Sequence, residues 1–383
     1  MTKFRKATQQ IHLWLGLVTG LIVFIVSITG CLFVFQKEIS DLVHKKTFFI
    51  QPPAQKTQLP FSYLLSQAST ALGKDKAINY TVTYKDPARA WEFMTYKAGD
   101  PKALTYFGSL AHYESIFINP YDGKITGHYD YKYDFFNIIK YLHWGLLLNP
   151  DYGQYIVGYS TLIFVFMLIT GIILWWPKKW SKTNIKKSFT IKWGASFKRL
   201  NYDLHNVPGF YTMFITLILA LSGLVYALPW FQKTVYVIAA RTFEQPEIKY
   251  EVSTPAPFTG KPLDRIFIES QKLFKETDRI AVSPPLSEEA AVFVTGLRGK
   301  EVYYDFDVLQ FDQYSAKLLN RRNYDEMNAG EKLSAMNYDI HVGAILGLPG
   351  KILALIGGLV AASLPVSGLM IWLGRKKKNK KQK

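Results

Sequence analysis

Cysteine is nearly absent from this chain, and charge is sparse and unevenly placed. A single cysteine, Cys31, in 383 residues excludes a disulfide scaffold and any zinc or iron–sulfur site built from several thiolates of this chain. Charged residues make up only 20%, while hydrophobic residues reach 49% and aromatics 15%, which excludes disorder and collagen-like repeats. Asp, Glu, Lys and Arg are missing altogether from Ala7–Gln36, Tyr152–Pro177, Leu204–Gln232 and Ile352–Gly374. Each of these stretches exceeds the roughly 20 residues that a helix needs to cross about 30 Å of hydrocarbon.

What charge there is favours lysine and arginine, for a net +17. Acidic residues are lacking from 1–11, 177–200 and 375–383, which carry three, eight and seven positive residues. Those 18 positives exceed the net charge, so the rest of the chain is close to neutral. Basicity confined to the flanks of apolar runs points to membrane, not nucleic acid. The positive-inside rule puts all three basic segments in the cytoplasm, as an even number of spans requires. Anionic lipid headgroups suit the basic loop, and an acidic protein partner would also dock there. Trp175, Trp176 and Trp180 beside Lys178 and Lys179 read as an aromatic belt at that interface. Ile28-Thr29-Gly30-Cys31 resembles a lipoprotein cleavage box. Because Thr-Gly or Ser-Gly recurs in the other spans without a cysteine, Cys31 reads as a packing residue.

Repetition organises the chain. Phe4-Arg5-Lys6 to His12 matches Phe197-Lys198-Arg199 to His205 at an offset of 193, as Thr29-Gly30 matches Ser222-Gly223. Asn119-Pro120-Tyr121-Asp122-Gly123-Lys124 lies opposite Asp312-Gln313-Tyr314-Ser315-Ala316-Lys317 at the same offset. His143 matches His341 at 198, and Thr170-Gly171 matches Ser367-Gly368 at 197. The expected architecture is an α-helical integral membrane protein, a four-helix transmembrane bundle with two α+β domains outside, built by tandem duplication. Its segments are 1–36 (first span), 37–140 (first outer domain), 141–177 (outer segment and second span) and 178–203 (basic loop). The second copy is 204–232 (third span), 233–338 (second outer domain), 339–374 (outer segment and fourth span) and 375–383 (basic tail). In the first outer domain, periodicity predicts a helix over Phe61–Leu72 and strands at Ala77–Tyr84, Ala90–Tyr96 and Tyr113–Asn119, with a return strand after a turn. In the second it predicts a helix over Pro262–Phe274 and strands at Arg279–Val282, Ala290–Thr295, Glu301–Phe306 and Val308–Gln313.

Of seven histidines, His12, His143, His205 and His341 are the repeated ones. His44, His112 and His128 have no repeat partner and read as solvated surface. One histidine at a membrane edge is ordinarily satisfied by water or headgroups; four placed alike at span ends read as a site. His12 and His205 open outgoing spans and share the inner side, while His143 and His341 precede returning spans and share the outer side. Two imidazoles without cysteine or carboxylate are too few for structural zinc, but they suit the two axial positions of a haem iron. His12, Gly16, Thr19, Val23, Ser27 and Gly30 share one face of the first span, and His205, Gly209, Thr212, Thr216, Ala220 and Gly223 one face of the third. Such a groove lets a flat macrocycle approach the backbone at Gly16 and Gly209, and small residues equally serve helix packing in lipid. Breakers at Asn149-Pro150 and Gly347-Leu348-Pro349-Gly350 place His143 and His341 on short segments ahead of the true spans. With no Cys-x-x-Cys-His motif, any haem is b-type, and the pairing allows two per chain.

A basic N-terminal turn, His12-Leu13-Trp14-Leu15-Gly16-Leu17, Thr29-Gly30, Leu142-His143, Gly171 with Trp175-Trp176-Pro177, Asp203-Leu204-His205 and Ser367-Gly368 occur in that order. Over nearly its whole length the chain resembles the PepSY-associated transmembrane-helix family, and within it the FoxB-type siderophore reductases, which are bacterial inner-membrane di-haem proteins. Asn119–Lys124 is similar to the turn typical of PepSY domains, whereas Asp312–Lys317 lacks its Pro and Gly. The resemblance implies electron transfer across the inner membrane to a ferric siderophore in the periplasm, releasing Fe(II). It implies His12, His205, His143 and His341 as axial ligands of two haems b. No strand–turn–helix glycine fingerprint for a nucleotide cofactor occurs, so electrons would come from a quinol or a protein donor. Two other readings stay open: a PepSY protein that regulates or senses a periplasmic partner, and a transporter of siderophore or metal.

Overall fold

The computed structural model describes residues 2–54, 57–177, 179–258, 260–274, 276–299 and 302–380, with side chains through residue 374. Lys178, Glu301 and the end of the basic tail, 381–383, lie outside the described residues. The chain runs α1 (Lys3–Phe33), α2 (Gln36–Val43), α3 (Lys45–Phe48), α4 (Phe61–Leu72), β1 (Tyr80–Tyr84), β2 (Trp91–Ala98), α5 (Tyr106–Ser109), β3 (Leu110–Ile118), β4 (Ile125–Asp130), α6 (Phe135–Gly145) and α7 (Pro150–Trp175). It continues with α8 (Lys182–Phe189), α9 (Phe197–Ala227), α10 (Pro229–Ala240), α11 (Pro262–Leu273), β5 (Arg279–Ser283), β6 (Val292–Leu297), β7 (Phe306–Phe311), β8 (Leu318–Arg322), α12 (Ala329–His341) and α13 (Gly347–Lys380). Long helix, short helices, four strands, short helix, long helix: that order occurs twice, with α5 added between β2 and β3 in the first copy.

Two compact units result. The helical one comprises Met1–Val34, Ile138–Lys233 and Ile340–Lys383. Its long helices α1, α7, α9 and the apolar part of α13 are long and apolar enough to cross a membrane. They form a closed ring of neighbours, α1–α7–α9–α13, around Val23, Phe164, Leu168, Ala220 and Ala361. The third apolar run is cut short: α9 ends at Ala227 and Pro229 opens α10, since proline suits the first turn of a helix but not its interior. Trp175 faces inward, stacked on Phe210 with ring centroids 3.9 Å apart, and donates its indole N–H to the Ser188 carbonyl at 3.0 Å. Only Trp176 and Trp180 of the expected belt are exposed. Cys31 packs within α1 against Gly358 of α13.

The second unit comprises Phe35–Asn137 and Thr234–Asp339. Where two separate domains were expected, one continuous sheet appears, in the order β4-β3-β2-β1-β5-β6-β7-β8. β1 and β5 join the halves antiparallel, with Thr81 opposite Val282 and Thr83 opposite Ile280. Each threonine hydroxyl also donates to the carbonyl of its partner at 3.0 Å, so two edges that would be left unpaired in isolation are satisfied by each other. Phe61, Leu64, Ala68 and Leu72 fall on one face of α4 and bury against Trp91, Phe93 and Ile116, together with Ile266 and Phe267 of α11. Each of the leucine, isoleucine and phenylalanine side chains contributes about 1.5–3 kcal/mol on burial. Asp264 of α11 accepts both the N–H and the hydroxyl of Ser62 at 2.7 Å, capping a helix start in the other half. The expected strand at Glu301–Phe306 is not one. Residues 303–305 are bends, only Phe306 enters β7, and the final strand is the unexpected β8.

The two hexapeptide turns fold alike despite their different sequences. Asn119 N–H donates to the Lys124 carbonyl at 2.8 Å and Asp312 N–H to the Lys317 carbonyl at 2.9 Å. In each, the first side chain accepts the N–H two residues on, at 3.0 Å, so Asn and Asp supply the same Asx turn. Gly123 and Ala316 occupy the left-handed position, at φ 73° and 57°. A β-carbon there costs about 1–2 kcal/mol, partly offset because alanine restricts the unfolded chain more than glycine. Ala316→Gly should therefore stabilise the sheet unit by up to about 1 kcal/mol, read as a higher thermal unfolding midpoint. An unchanged or lowered midpoint would contradict this.

Candidate cofactor sites

Two pairs of imidazoles form in the helical unit, each drawn from both halves of the chain. His12 on α1 and His205 on α9 line one cavity of about 630 Å³, within the ordinary size range of small-molecule pockets. Gly16 and Gly209 line it too. A Cβ on Gly16 would lie 2.9 Å from the Met167 methyl of α7, and one on Gly209 3.2 Å from Leu364 of α13. Both glycines thus border the cavity and leave room for a side chain of the neighbouring helix.

The second pair stands on α6 and α12, short helices ahead of the long ones. The His143 and His341 ring centroids are 5.9 Å apart with planes inclined by 57°. Two metal–nitrogen bonds of about 2.0–2.1 Å and two imidazole radii of about 1.1 Å predict a centroid separation of about 6.2 Å across a shared metal ion. The two rings are thus spaced so that His143 and His341 would hold one metal ion between them. Among the described residues no three His, Cys, Asp or Glu side chains come together, so neither pair extends to a zinc-type ligand set. The donor chemistry fits a planar cofactor that brings its own four equatorial nitrogens.

Each imidazole also has a built second partner. His12 Nδ1 lies 2.8 Å from Thr170 Oγ1, His205 Nδ1 2.9 Å from Ser367 Oγ, His341 Nδ1 2.9 Å from Ser222 Oγ and His143 Nδ1 3.3 Å from Thr29 Oγ1. All four hydroxyls donate their proton back along their own helix, to the carbonyls of Phe166 (3.0 Å), Ser363 (2.8 Å), Ile218 (2.7 Å) and Ile25 (2.6 Å). A hydroxyl has one proton to give, and one that gives it to the helix carbonyl accepts from Nδ1–H. His143 Nδ1 in addition meets the Val26 carbonyl at 2.8 Å, and a carbonyl can only accept. At His143 the proton is therefore on Nδ1 and Nε2 carries the lone pair.

The residue after each hydroxyl is glycine. A Cβ there would lie 3.6 Å from His12 Cε1 at Gly171, 3.4 Å from His205 Cε1 at Gly368, 3.3 Å from His341 Cε1 at Gly223 and 3.0 Å from His143 Cε1 at Gly30. The dipeptides are visible in sequence as repeats, but their contact with the histidines is not a local property of the chain. The signal was nonetheless present. Along the chain, His12, Thr29, His143, Thr170, His205, Ser222, His341 and Ser367 alternate. The histidines without a repeat partner are not simply solvated. Nε2 of His44 lies 3.1 Å from the Tyr129 hydroxyl, that of His112 3.1 Å from Thr95 and that of His128 2.7 Å from Glu114. Strand pairing brings His112 and His128 to their partners, whereas His44, between α2 and α3, meets Tyr129 of β4. Burial raises the Glu114 carboxyl, but its bonds from Lys76 and His128 outweigh that and hold it below the usual carboxylate range.

Four apolar helices in a closed ring, in one chain with an α+β sheet unit, define a membrane protein. The family model described as PepSY-associated TM region matches residues 9–375, and the chain belongs to that family. No curated protein matches it.

Proposed function

We propose that this chain is a di-haem b electron-transfer protein of the bacterial inner membrane that reduces ferric siderophores in the periplasm, Fe(III) to Fe(II). We infer that it arose by tandem duplication of a helix–sheet–helix unit, with both termini and the 178–203 loop in the cytoplasm and the sheet unit in the periplasm. The observation that carries the reading is the set of four imidazoles, two from each half, each with Nδ1 engaged by a hydroxyl of a neighbouring helix. Haem, when bound, supplies a one-electron iron couple. His12 with His205 and His143 with His341 would hold the two irons, and the apolar walls around the first pair keep water from the metal. Along α1 the 17 residues from His12 to Thr29 place the two sites about 25 Å apart, so together they reach across most of the apolar layer.

Ferric siderophores bind Fe(III) through hard oxygen donors that hold Fe(II) less tightly, so a single electron loosens the metal. The donor is a quinol or a protein at the cytoplasmic side, where lysines and arginines provide a basic docking face. The test is to add ferric siderophore to dithionite-reduced protein and follow haem reoxidation while a coloured chelator traps Fe(II). Reoxidation coupled to Fe(II) release is expected. If hydroxamate, catecholate and carboxylate chelates all leave the haem reduced, the reductase reading fails and a sensing role takes its place.

A further inference from the structure

We propose that the four hydroxyl–glycine dipeptides, Thr29-Gly30, Thr170-Gly171, Ser222-Gly223 and Ser367-Gly368, are sockets that fix the tautomer of the metal-binding histidines and set the potential of the iron they hold. The inference rests on the haem reading and names its positioning residues. Each dipeptide contacts one imidazole at two adjacent ring atoms. The hydroxyl oxygen takes the Nδ1 proton, and the glycine leaves room for Cε1, the carbon between the two nitrogens. Held at both atoms, the ring edge lies along the socket helix, and Nε2 is directed away from the hydroxyl. A β-carbon in place of the glycine at Gly30 would stand 3.0 Å from the ring, tighter than a relaxed carbon–carbon contact of about 3.5–4.0 Å.

A serine or threonine whose side chain bonds its own helix is common in apolar helices, and that alone would explain one hydroxyl. It does not explain why every one of the four meets an imidazole. The sockets are also distributed differently from the ligand pairs. Thr170 on α7 serves His12 and Thr29 on α1 serves His143, both within the first half. Ser367 on α13 serves His205 and Ser222 on α9 serves His341, both within the second. Each half thus orients its own two imidazoles, and a metal site forms when a prepared imidazole from each half meets the other. An acceptor on Nδ1–H makes the imidazole a stronger donor and favours the ferric iron, so losing the acceptor raises the potential.

The experiment uses full-length protein carrying Thr170→Val with Ser367→Ala, or Thr29→Val with Ser222→Ala, and the reciprocal Thr170→Ser with Ser367→Thr. In a redox titration the first variant should move one of two haem components positive and leave the other in place; the second should move only the other component, and by less, because His143 Nδ1 keeps the Val26 carbonyl at 2.8 Å. A tenfold change in ferric-over-ferrous preference reads as about 59 mV. The hydroxyl-conserving variant should titrate like the wild type, which a packing role would not require. Two haems that titrate unchanged in both double variants overturn the proposal while leaving the haem reading intact. Protein freed of haem gives a readout that does not depend on the cofactor: nitrogen-15 spectra of labelled histidine. His12 and His205 should show protonated Nδ1 in the wild type and revert toward the Nε2–H form in the first variant. Protonated Nε2 in the wild type would overturn the socket assignment directly.

Discussion

Replacing His341 with alanine is expected to leave the purified protein with one haem in place of two, and replacing His143 should do the same. His12→Ala and His205→Ala should each remove the other haem. The grouping follows from ring positions: residues nearly 200 apart in sequence stand 5.9 Å apart at the second pair, and His12 and His205 share one cavity. Removing either axial ligand from a low-coordination site loses most of the binding, so the double variant within a pair should be hardly worse than either single one, as for residues acting as a unit. Combining one histidine from each pair, such as His12→Ala with His143→Ala, should abolish haem binding. Haem quantitation by absorbance settles the pairing. Loss of the same haem from His12→Ala and His143→Ala would mean that ligands pair within a half, contrary to the geometry.

The membrane spans and the repeated histidines were legible in sequence because both rest on composition and order along one chain. Missing charge over more than 20 residues has few explanations other than hydrocarbon, and the α4 periodicity at Phe61, Leu64, Ala68 and Leu72 is a local property. The joined sheet was not legible. Strand periodicity shows that β1 and β5 each need a partner, but nothing in Tyr80–Tyr84 or Arg279–Ser283 says that the partner is the other. The sockets were half visible: the dipeptides repeat, yet contact between Thr29 and His143 spans 114 residues and follows only from how α1 and α6 pack. The turn at Asp312–Lys317 shows the opposite case. Its sequence departs from the Pro and Gly pattern of Asn119–Lys124, and the backbone adopts the same hydrogen bonds because Asx chemistry carries them. Pro229 was legible as a helix breaker, although absent charge alone had extended the third span past it.

The second large effect is expected at a crossing of backbones that holds the α6 and α12 histidines in place. After Gly145 the chain turns through Leu146 and Leu147, both at φ 57°, and enters α7, where Gly153 packs back on the end of α6. A Cβ on Gly153 would stand 2.3 Å from the Gly145 carbonyl oxygen; in the other half a Cβ on Gly350 would stand 2.1 Å from that of Gly343. Both contacts are backbone to backbone, so no side chain can swing aside. Overpacking costs about 1–3 kcal/mol when neighbours can relax, and here relaxation means moving the helix that carries His143, two residues before Gly145. Gly153→Ala and Gly350→Ala should therefore weaken or lose the haem of the second pair while the His12–His205 haem titrates as before. Gly194→Ala, where nothing lies within 4 Å of the added carbon, serves as the control and should keep both. The haem-to-protein ratio after purification reads the result. Retention of both haems by Gly153→Ala and Gly350→Ala would show that the short helices yield without disturbing their imidazoles, and that this crossing does not set the second site.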